Sequence, residues 1–274
     1  MIKSISIVYP MYNEMENITT AVDEALRFGR AVASEVEIVI VDDASSDGSG
    51  ELVDELAVIH SEVRVIHHPE NRKLGGALKT GFAAASKEWV LYMDSDLPIK
   101  MDDALRAVPL TDEADLIIGW RMSRAESWQR HVMSWVYNRL VRTMFGLRVI
   151  DVNFAFKMFR NSYAKLVPLT SNGSFIDAEF LLGMQALGAR RAELGFVYYP
   201  RVAGVSTLGS KMVAMKTFFE MVSYRLNRYE KLKRDLGGER GRLRAESGDQ
   251  SRDRDGMSSR DSAQHQSDAQ RTGV

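Results

Sequence analysis

The chain has 274 residues, enough for one large domain or two small ones. It is 45% hydrophobic and 27% charged with a net charge of −1, so no overall positive field recruits nucleic acid. The absence of cysteine excludes disulfides, thiolate catalysis and zinc–thiolate sites. Neither a signal-peptide core nor an apolar run of roughly 20 residues, as a bilayer span requires, is present. We therefore expect a cytoplasmic protein without a transmembrane anchor.

The first 118 residues alternate strand-like and helix-like patterns. The predicted strands are 4–9, 36–41, 63–67, 88–93 and 115–119, and the predicted helices are 15–33, 48–59 and 75–86. The second strand, VEIVIV, is nearly continuously apolar, as expected for a strand buried on both faces. This alternation predicts an α/β fold with a mostly parallel, doubly wound sheet.

The second half of the chain continues with helical patterns at 128–145, 175–187 and 210–234 and a strand-like run at 154–159. From Gly237 to Val274 the only sizeable apolar residues are Leu243, Met257 and Val274. Such a segment buries too little apolar area to offset its ordering entropy. We therefore predict a catalytic domain at 1–209, a basic amphipathic helix at 210–236 and a disordered tail at 237–274.

The helix predicted at 210–234 carries seven Lys and Arg residues against two glutamates. Its apolar stripe consists of Met212, Met215, Phe218, Phe219, Val222, Leu226 and Tyr229. A helix of this kind either packs its stripe on the catalytic domain or lies on an anionic membrane surface. A membrane-protein partner is the third alternative.

The segment Tyr92-Met93-Asp94-Ser95-Asp96 joins an apolar, β-prone run to two carboxylates spaced i, i+2. Ligands of open α/β sheets bind at the carboxyl ends of the strands, which is where this pair falls. Two hard oxygen ligands at this spacing suit Mg²⁺ or Mn²⁺ held against a diphosphate. The alternative is a surface turn with two solvated acids.

Polar loops follow each of the first four strands, and two of them contain glycine. Their sequences are YPMYNEMENI from Tyr9, VDDASSDGS from Val41, NRKLGGALKTG from Asn71 and MDSDLP from Met93. The first loop lacks G-x-G-x-x-G, which argues against a dinucleotide-dependent dehydrogenase. Each motif is weak alone, but their order along one sheet edge is specific.

Together these motifs resemble the family 2 glycosyltransferases over residues 3 to 210, especially polyprenyl-phosphate sugar synthases of the dolichol-phosphate mannosyl- and glucosyltransferase kind. The likeness continues in Gly119-Trp120-Arg121, in Arg130 with Ser134 and Asn138, in Asp151 with FKMF at 156–159, and in RVAGVS at 201–206. The resemblance implies the GT-A nucleotide-diphospho-sugar transferase fold. It also implies inverting, metal-dependent transfer of mannose or glucose from a GDP- or UDP-sugar to a polyprenyl phosphate.

The resemblance assigns roles to particular residues. The nucleotide-sugar would contact Pro10, Tyr12, Glu14, Asp42, Asp43, Lys73, Gly76, Lys79, Asp94 and Ser95. Asp94 and Asp96 would bind the metal, and Pro98 stands where many relatives have a glutamine that helps ligate it. Asp96, Arg121, Arg130, Ser134 and Arg201 would form the catalytic set, with the arginines positioning a phosphate acceptor.

Two alternatives stay open at this point. A transferase acting on a saccharide or other hydroxyl acceptor would need a general base, for which Asp151 and the Asp177/Glu179 pair are candidates. A binding protein without catalysis is disfavoured by the intact Asp94/Asp96 pair. The histidines His67, His68 and His131 lack a partner pattern in the sequence, so no role is assigned to them.

Overall fold

A computed structural model describes residues 1–123, 128–199 and 211–246. The strands are β1 (Ile2–Met11), β2 (Ala33–Asp42), β3 (Val63–His67), β4 (Trp89–Met93), β5 (Leu116–Ser123), β6 (Phe156–Arg160) and β7 (Arg191–Val197). The helices are α1 (Ile18–Val32), α2 (Ser49–Ile59), α3 (Lys73–Ala84), α4 (Met101–Ala104), α5 (Trp128–Phe145), α6 (Asn161–Ala164), α7 (Ile176–Ala186), α8 (Lys211–Asn227) and α9 (Tyr229–Glu246). A 3₁₀ helix covers Leu105–Asp112.

The described strands form one seven-stranded sheet in the order β3-β2-β1-β4-β6-β5-β7. Strands β1 to β4 are parallel to one another and β5 is parallel to β7, whereas β6 is antiparallel to both β4 and β5. The prediction of a mostly parallel, doubly wound α/β sheet is confirmed. The antiparallel strand β6 has a direct consequence for the site, because its beginning lies at the edge where β4 and β5 end.

Two hydrophobic cores cover the two faces of the sheet. Helices α1 and α2 pack on one face, and helices α3 and α5 to α9 contribute to the core on the other. Helix α3 approaches the sheet very closely, because a Cβ built on Gly81 would lie 2.4 Å from Val8 Cγ1. The small residues of α3 therefore allow close packing of the helix on the sheet.

The C-terminal region differs from the prediction of one helix followed by a disordered tail. Helix α8 ends at Asn227, and a separate helix α9 runs from Tyr229 to Glu246, beyond the predicted boundary at Gly237. The physical reason is burial, since Leu232, Leu236 and Leu243 of α9 all join the core on the α3 side of the sheet. Residues 247–274 of the predicted tail lie outside the described residues.

Within the described parts of the chain, no helix is both long enough and apolar enough to cross a bilayer.

Candidate active site

The site begins at the edge of the sheet where the parallel strands end. Met11 of β1 lies in register with Asp42 of β2, which in turn lies beside His67 of β3. The loop after each strand therefore starts at the same level of the sheet. This edge is where ligands of open α/β sheets bind.

Side chains tie the first two loops together. Asn13 accepts a hydrogen bond from the Ser46 amide at 2.8 Å through Oδ1, and its own amide donates to Ser45 Oγ at 3.0 Å. The Met15 amide donates to Asp47 Oδ2 at 3.1 Å. The loop that carries Tyr12 and Glu14 is thus fixed to the loop that follows Asp42 and Asp43.

Asp42 and Asp43 are both buried, and each contacts a histidine from the end of β3. Asp42 Oδ2 lies 2.8 Å from His67 Nδ1, and Asp43 Oδ1 lies 2.7 Å from His68 Nδ1. Asp43 Oδ1 also accepts a hydrogen bond from the Arg72 amide at 2.8 Å. The two consecutive carboxylates are therefore held in fixed orientations by two consecutive histidines.

These histidine partners were missed in the sequence. The signal was present, because VDD ends β2 and IHH ends β3, and the parallel register places Asp42 beside His67. Hydrogen bonds to Asp54 and to Asp42 raise the pKa of His67 above its ordinary value. His131, the third histidine without an assigned role, has a side chain outside the described residues.

Backbone strain concentrates in the same four loops. The described non-glycine residues with positive φ are Asn13 (56°), Ala44 (63°), Lys73 (61°) and Leu97 (51°). One follows each of β1, β2, β3 and β4. Left-handed conformations are costly for residues with a Cβ and persist where the surrounding structure enforces them, often at functional sites. Their distribution independently marks this edge as the site.

The Asp94-Ser95-Asp96 motif follows β4 at the centre of this edge. Ser95 is buried and donates to the Pro10 carbonyl oxygen at 3.4 Å, and Tyr92 donates to Asp94 Oδ1 at 3.4 Å. Burial raises the pKa of Tyr92 well above its usual value, and the negative charges of Asp177, Asp94 and Asp96 add to the effect. Asp177 is paired with Lys157, so the carboxylates that favour a bound cation here are those of Asp94 and Asp96.

The donor set fits a divalent metal of the hard type. Asp94 and Asp96 offer carboxylate oxygens, the ligands that Mg²⁺ and Mn²⁺ prefer. Within the described residues no group of three or more His, Cys, Asp or Glu side chains forms a closed metal cage. Two carboxylates match a metal whose remaining ligands come from a bound diphosphate and water. Pro98 lies in the same loop and has no side-chain donor to offer.

The beginning of α3 forms a second part of the site. An open pocket of about 530 Å³ is lined by Glu70, Asn71, Arg72, Lys73, Gly76, Lys79, Thr80 and Asn172. Lys79 Nζ contacts both Asn172 Oδ1 and the Thr170 carbonyl oxygen. Lys73, Gly76 and Lys79, for which the sequence predicts a role near the nucleotide, thus line one pocket.

The glycines in this region have a packing role. A Cβ on Gly75 would lie 2.4 Å from the Ser171 carbonyl oxygen, and a Cβ on Gly76 would lie 2.3 Å from Arg72 Cβ. The Gly75 amide also donates to the Asn172 carbonyl oxygen at 3.0 Å. The close approach at Gly75 is thus to the loop before α7, a partner that the sequence alone did not indicate.

Arg121 lies near the end of β5 and is anchored by a buried carboxylate. Its Nε donates to Asp151 Oδ2 at 2.9 Å, and the side chains are 13% and 1% exposed. The guanidinium also lies over the rings of Phe154 and Tyr198, 5.5 Å from each centroid. These contacts fix the guanidinium plane at the edge shared with the end of β4.

Helix α5 reaches the same region through two polar side chains. Asn138 donates from Nδ2 to Ser134 Oγ at 3.4 Å and accepts from the Val152 amide at 3.1 Å. Since Val152 follows Asp151, Ser134 is linked through Asn138 to the segment that anchors Arg121. The predicted grouping of Arg121 and Ser134 therefore has a structural connection.

The remaining acidic candidates are engaged in structural contacts. Asp177 Oδ1 lies 2.6 Å from Lys157 Nζ, and both side chains are buried. Burial raises the pKa of Asp177, and the Lys157 charge opposes that shift. Glu179 accepts hydrogen bonds from Thr170 and Ser171 and so holds the loop that packs on Gly75.

Two predicted acceptor residues cannot be placed in this geometry. Arg201 lies outside the described residues, as does the side chain of Arg130, whose backbone belongs to α5. The assignments of both remain predictions.

The sequence matches a known protein family. The model of glycosyl transferase family 2 matches residues 6–167, which is more than half of the chain. The chain therefore belongs to glycosyl transferase family 2, and it is a glycosyltransferase by family.

Two curated relatives indicate which kind of family member this chain resembles. An undecaprenyl-phosphate mannosyltransferase of Micrococcus luteus is 26% identical over 217 residues, covering 75% of this chain and 88% of the relative. An undecaprenyl-phosphate 4-deoxy-4-formamido-L-arabinose transferase of Proteus mirabilis is 29% identical over 162 residues, covering 58% of this chain. The match spans only 49% of the second relative.

Solved structures support the fold. Glucosyl-3-phosphoglycerate synthase of Mycobacterium tuberculosis in complex with Mn²⁺, UDP and phosphoglyceric acid has a TM-score of 0.63 and 18% identity, covering 81% of this chain and 78% of that one. Its complex with Mn²⁺ and UDP-glucose has a TM-score of 0.62 and 18% identity, covering 81% of this chain and 79% of that one. The GT-A fold expected from the sequence is thus confirmed.

Proposed function

We propose that this chain transfers a hexose, mannose or glucose, from a nucleotide-diphospho-sugar to a polyprenyl phosphate with inversion at the anomeric carbon. The observation that carries the proposal is Arg121, anchored by Asp151 at the sheet edge that also carries Asp94 and Asp96. A cation fixed beside the donor edge suits a phosphate acceptor. The names of both curated relatives specify undecaprenyl phosphate, which supports the same acceptor class.

The donor side of the site binds the nucleotide. Buried Asp42 and Asp43 accept hydrogen bonds from the N–H groups of a base and the hydroxyls of a ribose. The other residues proposed to contact the nucleotide-sugar are Pro10, Tyr12, Glu14, Lys73, Gly76, Lys79, Asp94 and Ser95. The lysines place positive charge near the diphosphate. The base is guanine or uracil, and a UDP donor is favoured by the UDP and UDP-glucose of the structural neighbours.

Asp94 and Asp96 are the residues proposed to hold Mg²⁺ or Mn²⁺. When bound, such an ion neutralises the charge that develops on a departing nucleotide diphosphate. Ser95 contributes by joining the loop to the Pro10 carbonyl oxygen, which keeps the carboxylates at the centre of the sheet edge.

The acceptor side positions a phosphate. A phosphate monoester has a second pKa of about 6, so it is largely dianionic near neutral pH and needs no strong base to act as a nucleophile. Arg121, with Arg130, Arg201 and Ser134, is proposed to orient it, because guanidinium groups bind phosphate through paired N–H donors.

The rival function is transfer to a saccharide or another hydroxyl acceptor. That reaction requires a general base, and Asp151 and Asp177 were the candidates. Asp151 is paired with Arg121 and Asp177 with Lys157. Because each carboxylate is held by a cation of the protein, neither is well suited to act as the general base. This pairing favours the phosphate acceptor.

A long prenyl acceptor resides in a membrane, so we propose peripheral association with the cytoplasmic membrane face. The basic helices α8 and α9 supply charge attraction, and a membrane-protein partner is the alternative means of recruitment.

The decisive experiment incubates the purified chain with GDP-mannose, GDP-glucose, UDP-glucose or UDP-galactose, a polyprenyl phosphate and Mg²⁺ or Mn²⁺. Mass spectrometry of the lipid fraction should show one hexose added to the polyprenyl phosphate from one donor. A matched reaction with the dephosphorylated polyprenol should give no product. Transfer to the alcohol, or to a free sugar but not to the phosphate, would overturn the proposal.

A further inference from the structure

A cavity of about 360 Å³ lies at the edge of the sheet where β5 and β7 begin. Leu116 and Arg191, the paired first residues of these parallel strands, both line it. Arg121 lies five residues further along β5, about 16 Å away at the usual rise per residue. The cavity is therefore separate from the candidate active site, and its volume falls within the usual range of small-molecule pockets.

The interior of the cavity is apolar. Its walls come from the core on the α3 side of the sheet, and they are Leu116, Ile118, Leu147, Val149, Tyr163 and Leu181. Each of these residues is at most 4% exposed. A hydrocarbon group placed among them would be removed from water, which is favourable.

The lining also carries three arginines and one carboxylate, which are Arg190, Arg191, Arg240 and Asp115. Asp115 is already engaged, because its Oδ2 accepts from Arg190 Nε at 3.0 Å and its Oδ1 accepts from Arg190 Nη2 at 3.0 Å. Arg160 Nε also lies 3.4 Å from Asp115 Oδ1. The remaining charge of the lining, on Arg191 and Arg240, is therefore positive.

Arg240 of α9 is the cation best placed to receive a ligand. Within the part of the chain that the structure describes, its side chain makes no hydrogen bond and no ion pair. Its Nε lies against Gly188 in the turn after α7, where a Cβ would be only 2.5 Å away. Arg191 is only loosely paired, since its Nε lies 3.9 Å from Glu193 Oε1. Two guanidinium groups thus border an apolar interior without a close acidic partner.

We propose that this cavity is a second ligand site, which binds a small molecule with an apolar body and one carboxylate or phosphate group. The apolar body fills the interior, and the anionic group meets Arg240 and Arg191. Guanidinium groups suit both anions, because their paired N–H donors match the oxygens of either. The site goes beyond the proposed sugar transfer and does not depend on it.

Calorimetric titration of the full chain with octanoate, octyl phosphate and octanol tests the ligand class. At least one of the two anions should bind, and octanol should bind at least tenfold more weakly because it leaves the arginines without an anion. Butyrate should bind more than tenfold more weakly than octanoate, since it leaves the apolar interior unfilled. Failure of both anions to bind, or equal binding of octanol, would overturn the proposal.

A substitution at the surface tests the role of Arg240 without disturbing the core. Arg240→Gln should weaken binding of the anion about tenfold, because the charge-assisted hydrogen bonds are lost. Arg234→Gln is the matched control, since Arg234 is an exposed arginine of α9 that does not line the cavity. Arg240→Gln binding the anion as tightly as the parent would contradict the proposed site.

Photolabelling locates the bound anion. An octanoate that carries a diazirine on its chain should label the tryptic peptides 143–148 and 166–190, which contain Leu147 and Leu181. Excess unlabelled octanoate should suppress the labelling. Labelling confined to peptide 88–100, which carries Asp94 and Asp96, would place the anion in the active site and overturn the proposal.

Discussion

His67 Nδ1 lies 2.8 Å from Asp42 Oδ2, and its Nε2 lies 3.0 Å from Asp54 Oδ1. One imidazole therefore joins the end of β2 to helix α2, next to the carboxylate proposed to meet the nucleoside. Protonated histidine donates from both nitrogens, so this geometry favours the charged form.

The charged form of His67 should contribute stability in a defined pH range. Hydrogen bonds to Asp54 and Asp42 raise its pKa above the ordinary 6.5, so its contribution is complete below 6.5 and is lost as pH rises through the folded-state value. His67→Gln should therefore lower the melting temperature more at about pH 5.5 than at about pH 8.5. His60→Gln, at the end of α2, is the control. A His67→Gln effect that grows with pH would contradict this assignment.

Asp96→Ala should reduce transfer at least a hundredfold, because loss of a metal ligand costs several kcal/mol of transition-state stabilisation. The circular dichroism spectrum should be unchanged. Asp112→Ala, at the exposed last residue of the 3₁₀ helix, should retain full activity. Near-normal turnover of the parent in excess chelator would show that the carboxylates act without a metal.

Arg121→Lys should impair use of the lipid acceptor more than binding of the nucleotide-sugar. A lysine keeps the charge but loses the planar guanidinium that Asp151 orients. The expected result is about a tenfold or greater rise in the acceptor KM at an unchanged donor Kd. The exposed Arg64→Lys on β3 is the control. If donor affinity falls instead, Arg121 belongs to the nucleotide half of the site.

The C-terminal boundary can be tested by truncation. A chain ending at residue 237 loses buried Leu243, at a cost of about 2 kcal/mol, and its melting temperature should fall by roughly 4–8 °C. A chain ending at residue 246 should melt like the parent, since residues 247–274 contain only Met257 and Val274 as sizeable apolar residues. Equal melting temperatures of all three chains would restore the boundary predicted from the sequence.

Much of the donor half could be predicted from the sequence because its strands are long apolar runs and its loops follow them directly. The pairing of Asp42 with His67 could not, since it depends on the parallel register of β2 and β3. The Arg121–Asp151 contact likewise depends on the antiparallel placement of β6, which periodicity does not reveal.

The C-terminal helices were harder to predict from the sequence, for a different reason. Helix α8 is apolar on two sides, so the exposed stripe of Met215 and Phe219 hid the inward pair of Met221 and Tyr224. In α9 the inward leucines are separated by charged residues and glycines, and composition alone resembled a disordered segment. The segment is a helix because widely spaced single leucines, such as Leu236 and Leu243, are buried in the core.

The antiparallel placement of β6 also affects how the chain assembles during synthesis. Strand β4 pairs with β1 on one side and with β6 on the other, and β6 is translated more than sixty residues after β4. Until Phe156–Arg160 leaves the ribosome, the nascent sheet presents Trp89–Met93, all apolar, as an open edge strand. Open apolar edges pair readily with other chains. Slow translation or truncation between β4 and β6 should therefore favour aggregation, and chaperones that cover strand edges should act in this interval.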